Sequence, residues 1–185
     1  MRLLLPLVAC VLAGGCTAAV EGTPSTPSEV LPPPRPREVR LDGVDPCTLL
    51  TAEQRAGLGL TSEPRSTTPR VELFRGDVPT CTIRGSYPEV ALLASGTVTT
   101  VGIERWSESD VAVSVRPTTI AGFPALVAVP TRFQNYCNVE VDVAPGQMLD
   151  VQYGAGGPQT PVPQEELCVR AARSAELMMT TLLHR

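Results

Sequence analysis

The stretch CNVEVDV at 137–143 sets the first constraint on the fold: Cys137, Val139, Val141 and Val143 alternate with Asn138, Glu140 and Asp142. Successive side chains of a β-strand point to opposite faces, so the first set shares one face and the acids share the other. APGQ at 144–147 predicts a hairpin turn, beyond which Leu149, Val151 and Tyr153 extend the apolar face and Asp150 and Gln152 the polar one. The same period runs through Cys81 and Ile83, through Val111, Val113 and Val115, and through Phe123, Ala125, Val127 and Val129 after a turn at Ala121-Gly122. VTTVGIERW at 98–106 is rich in β-branched residues and reads as a further strand, weakened locally by Gly102. Strands of this kind predict an antiparallel meander with one dry face and one wet face, the wet face keeping Glu140 and Asp142 as ordinary solvated acids.

At the C-terminal end the period changes to that of a helix. Cys168, Ala171, Ala172, Ala175, Met179 and Leu182 form one stripe in a segment spanning about 164–183, and Glu165 and Glu166 sit in its first turn, where the helix dipole favours acids. Its alanines allow close approach to the dry face of the sheet. Near the other end, DPCTLLTAEQRAGLG at 45–59 predicts a short helix or helix pair. Asp45 caps, Pro46 suits the first turn, Thr51 and Gln54 make a capping box, and Gly57 and Gly59 stop it. The expected fold is α+β: an antiparallel meander with a short N-terminal helix and a C-terminal helix packed on one face.

The region before Asp45 follows neither period. Arg2 precedes an apolar run over 3–12, too short for the roughly 20 residues a membrane-spanning helix needs. Ala13, Gly14 and Gly15 then precede Cys16, an arrangement that predicts a bacterial lipoprotein signal over 1–15 and diacylglycerol on the Cys16 thiol. An ordinary secretory peptide cut after Thr17-Ala18-Ala19 is the alternative; both place the mature chain outside the cytoplasm. From Cys16 to Val44 the chain carries prolines at 24, 27, 32, 33, 34 and 36, a composition that favours polyproline II at about 3.1 Å per residue over a packed core. This segment is expected to be a tether, and 45–185 a single domain.

Charge and cysteine content narrow the function classes. The 185 residues carry 19 acids against 15 arginines scattered singly, with no lysine and a formal charge of −4, so nucleic acid is not an expected partner. Beyond Cys10 in the signal and Cys16, the cysteines are Cys47, Cys81, Cys137 and Cys168, an even set that in an exported protein points to two disulfides. Zinc is the rival, but no CxxC pair occurs and the one histidine, His184, is next to the last residue. Of three possible pairings, Cys47–Cys81 with Cys137–Cys168 closes two loops of similar length. It also joins a dry-face strand position to the dry stripe of the helix.

Together, LAGGC, DPCTLL at 45–50, Cys81, Gly122-Phe123-Pro124-Ala125, Cys137-Asn138-Val139-Glu140-Val141 and Cys168 resemble a family of actinobacterial lipoproteins built on domain of unknown function 3558. The resemblance implies export and anchoring and supplies no catalytic residues. The chain departs from it at Ile83, where the family often carries tryptophan.

Candidate chemistry is sparse. Ser107 and Ser109 have no internal histidine or lysine to activate them, and no motif calls for a cofactor or metal. Glu104, Glu108 and Asp110 are close enough in sequence for a carboxylate-dependent envelope hydrolase, while GAGG at 154–157 reads as a connector, given Pro158, Pro161 and Pro163. Arg132, Phe133 and Tyr136, in TRFQNYC, are of the types that anchor interfaces and form the candidate binding site. The expectation is a membrane-anchored, non-enzymatic binding or accessory domain, its partners being the membrane through the lipid and an envelope protein or ligand. A carrier of an apolar ligand between helix and sheet is a third possibility.

Overall fold

A computed structural model describes residues 34–86, 90–157 and 162–185. Cys16, the signal over 1–15 and most of the tether lie outside the described residues. Thr51 accepts from the Gln54 amide and Gln54 accepts from the Thr51 amide, closing the predicted capping box on α1 (Ala52–Gly57). The stretch before it forms only a turn of 3₁₀-helix, Pro46–Thr48, with Asp45 accepting from the Cys47 amide at 2.9 Å.

Among the described residues, nine strands follow: β1 (Arg65–Thr67), β2 (Arg70–Val71), β3 (Gly76–Asp77), β4 (Thr80–Gly85), β5 (Ala91–Val98), β6 (Val113–Ile120), β7 (Phe123–Pro130), β8 (Tyr136–Ala144) and β9 (Gln147–Ala155). β2 and β3 pair by themselves, and the other seven form one antiparallel sheet in the order β1-β4-β5-β9-β8-β7-β6. Only β6 to β9 run as a meander. β5, in a stretch where no strand was expected, pairs with β9 along its whole length and joins the meander to the β4–β5 hairpin. Two turns have the chemistry they need. Ala121 and Gly122 both take positive φ (50° and 82°), as a two-residue hairpin of primed type requires, and Gly146 takes φ 68° after Pro145.

The dry face is packed as its periodicity implied. Val139, Val141, Leu149, Val151 and Tyr153 meet Leu167, Ala171, Ala175 and Met179 of α2 (Gln164–Leu183) in one core. The Cys137–Cys168 disulfide ties β8 to the helix, and Cys47–Cys81 ties the N-terminal turn to β4. Gly85 has a packing reason: a Cβ there would lie 2.1 Å from the Gly59 carbonyl oxygen.

Three expectations are corrected. The opposite face of the sheet is not simply wet. The turns Glu72–Phe74 and Ile103–Ser107 lie over it and build a second cluster from Phe74, Val78, Val98, Trp106, Ala128 and Met148. Consequently Glu140 is 0% exposed, not solvated. The run 98–106 is not a strand: β5 ends at Val98, and Ile103–Ser107 is 3₁₀-helix, a break that frees Trp106 to fold back over the sheet. Finally, the end of the tether is docked onto the domain. Leu41 is buried, the Val39 amide donates to the Val143 carbonyl at 2.8 Å, and Arg35 pairs with Asp142 at 2.6 Å. A β-branched and leucine-containing stretch after the last proline has apolar surface to bury, which the proline-rich part does not.

Candidate functional site

The covered face holds a cleft of about 370 Å³. Its floor is made by strand pairing. Asn138 and Gln152 are register partners on β8 and β9 and point away from α2, one step from the partners Glu140 and Asp150. Trp106 and Leu73, from the two overlying turns, form one wall, and Val111, Val113 and Pro130, from the β6 and β7 ends, form the other. The connection between β7 and β8 supplies the mouth. It is pinned at one end by Thr131, whose amide donates to the Ala112 carbonyl at 3.2 Å, and at the other by Asn135, whose carbonyl accepts from Ala155 at 2.9 Å.

The predicted binding residues meet here. Arg132, Phe133 and Tyr136 all line the cleft, Tyr136 half-buried and Phe133 61% exposed. Trp106, Asn138 and Gln152 were not among the predicted site residues. Of the three acids considered for hydrolysis, Glu108 and Asp110 meet on one arginine and Glu104 stands apart from them. Arg105, itself buried, donates to both Asp110 oxygens (2.7 and 2.8 Å) and to Glu108 (3.0 Å), while Glu104 accepts from the Gly102 amide at 3.2 Å. The Arg105 hydrogen bonds hold Asp110 below its ordinary pKa, and Asp110 in return raises Arg105. Arg75 also pairs with Glu108, so the charges at this rim neutralise one another. Arg132 differs: among the described residues it makes no ion pair or hydrogen bond.

A different acid pair lies beneath the cleft. Neither Glu140 oxygen has a donor at hydrogen-bond geometry, and the Trp106 indole N–H, also buried, is likewise unpaired. The polar groups that act on the Glu140 carboxyl are Asp150, Asn138 and that indole. Burial first, and then the Asp150 charge, push Glu140 well above the ordinary carboxylate range. Burial also raises Asp150, against hydrogen bonds from Glu140 and Asn138 that lower it. Glu140 is therefore the member of the pair that burial favours in its neutral form, a protonated carboxyl set beside Asp150. The hydrogen bonds have one direction: Asn138 Nδ2 donates to Asp150 Oδ1 at 2.9 Å, and Gln152 Nε2 donates to Asn138 Oδ1 at 3.3 Å. Asp150 thereby orients both amides of the cleft floor. Chemically, the arrangement offers an apolar slot with oriented amides at its base and a guanidinium at its mouth.

Among the described residues no cluster of three or more metal-ligating side chains occurs, and no helix is long and apolar enough to cross a membrane. The model of the family described as "Protein of unknown function (DUF3558)" matches residues 11–181, and the chain belongs to that family. No curated protein and no solved structure matches it.

Proposed function

We propose that this DUF3558 member is an actinobacterial lipoprotein, acylated at Cys16 and held on the extracytoplasmic face of the cell membrane, where its domain acts as a non-enzymatic binding module. The observation that carries the binding reading is the cleft between Trp106 and the β7–β8 connection, which gathers the residue types typical of ligand sites around a few placed polar groups. The export reading rests on LAGGC and on the four paired cysteines, since disulfides persist in oxidising compartments. A carrier with its cavity between helix and sheet is less well supported, because that layer is filled by side chains and the cleft opens on the other face.

One observation favours a second reading, a carboxylate-dependent hydrolase: Glu140 and Asp150 are register partners, and burial raises both carboxyls above their ordinary range. Against it, Glu140 is sealed below Trp106 and does not line the cleft. The discriminating experiment is native mass spectrometry of the full chain extracted from its own membranes. The binding reading expects a bound molecule that is lost when Arg132, Phe133 and Tyr136 are all replaced by alanine. Turnover of a glycan or ester that Glu140→Gln abolishes without unfolding the protein would instead establish the hydrolase.

A further inference from the structure

We infer that the cleft takes a small organic anion with an apolar body, its carboxylate held at the mouth by Arg132. The inference rests on the cleft being a binding site and names the class of ligand. Its size bounds the choice first. About 370 Å³ lies toward the low end of the roughly 300–1,000 Å³ typical of small-molecule pockets, and fits one compact body rather than a polymer chain. The walls choose an apolar body: Leu73, Val111, Val113 and Pro130 offer no hydrogen-bonding side chain, and the Trp106 ring lies against them.

The polar groups then set the orientation. At the floor, Gln152 Nε2 is directed at Asn138, and Gln152 Oε1, which accepts no hydrogen bond among the described residues, is suited to accept from an N–H or O–H on the ligand. Beneath that floor lie the carboxyls of Glu140 and Asp150, which offer an anion no cationic partner. At the mouth the situation is reversed. Asp110 is neutralised by Arg105, whereas Arg132 lacks a carboxylate partner among the described residues. A guanidinium presents a planar fork that matches a carboxylate. The ligand therefore enters with its apolar end first and its anionic group last.

The test titrates the full lipid-anchored chain in phospholipid nanodiscs, with empty discs as the blank, using 1-naphthylacetate and its uncharged counterpart 1-naphthylacetamide. Calorimetry should show one site per chain for both, with the acid bound about three- to tenfold more tightly, as an exposed charge-assisted contact allows. Arg132→Gln should bring the acid down to the affinity of the amide and leave the amide within about twofold. Equal binding of acid and amide by the native protein, or a preference that survives Arg132→Gln, overturns the anion assignment and leaves the cleft reading standing. Binding of neither probe at one per chain removes both.

Discussion

Replacing Glu140 by glutamine should stabilise the protein increasingly as pH rises, although the change removes a carboxyl from the interior. A glutamine fills the same space and carries a neutral polar head, as protonated Glu140 does, without an ionisable proton. The magnitude follows from linkage. In the unfolded chain Glu140 titrates near 4.5, and in the native protein burial and Asp150 raise it well above that value. Below 4.5 both states hold the proton and the group contributes no pH dependence. Above 4.5 the unfolded chain releases the proton while the native protein keeps it, so the unfolded state binds fewer protons and native stability falls. The slope approaches about 1.4 kcal/mol per pH unit until Glu140 itself ionises. Glu140 is 0% exposed, so solvent does not screen this contribution. The assay is guanidinium unfolding of the disulfide-intact chain at several pH values between about 4.5 and 8, followed through Trp106, the sole tryptophan. The stability difference between Glu140→Gln and the native protein should widen with pH and then level off. Parallel stability curves for the two proteins would refute the account of a buried carboxyl that keeps its proton.

Two further outcomes are expected. Replacing Cys137 and Cys168 together by alanine should cost about 3.5–4 kcal/mol by loop-closure entropy, read from denaturant midpoints, because the bridge closes a separation of 31 residues. Cys16→Ala should move the protein out of the membrane fraction or leave its signal uncleaved; an intact mass beginning at Val20 without acyl chains in the native protein would contradict anchoring at Cys16.

Legibility in the sequence tracked periodicity. The strands β8 and β9 carry clear alternation, β6 and β7 carry it in part, and the helix α2 carries a helical stripe; the faces inferred for Cys137 and Cys168 lead to the observed disulfide. The capping box of Thr51 and Gln54 was equally readable, because its partners are three residues apart. β5 was not. LLASGTV mixes small and polar residues because Ser95, Gly96 and Thr97 sit in the middle of a sheet covered on both sides, where alternation between wet and dry has no cause to appear. The meander expectation failed for a related reason: β5 reaches β9 only through contacts fifty or more residues apart, and nothing local encodes that pairing.

The candidate site divides along the same line. Arg132, Phe133 and Tyr136 could be singled out by residue type, since aromatic and guanidinium groups are enriched where ligands and partners dock. The acid pair was half visible. A hairpin turning at 144–147 sets Glu140 opposite Asp150 and Asn138 opposite Gln152, and like charges directly across a strand pair are unfavourable in water. That juxtaposition is itself a signal, because two solvated carboxylates gain nothing from facing each other, whereas a pair that retains one proton gains a hydrogen bond. What the sequence lacked was the cover. Two short 3₁₀ turns at 72–74 and 103–107, each too brief to show a period, carry Phe74 and Trp106 over the sheet at a ring separation of 6.2 Å and exclude water from Glu140. The same cover makes the cleft, so the residue that buries the acid, Trp106, also forms the wall of the site. Proton retention at Glu140 and the fixed amide orientation at the cleft floor thus have one physical cause.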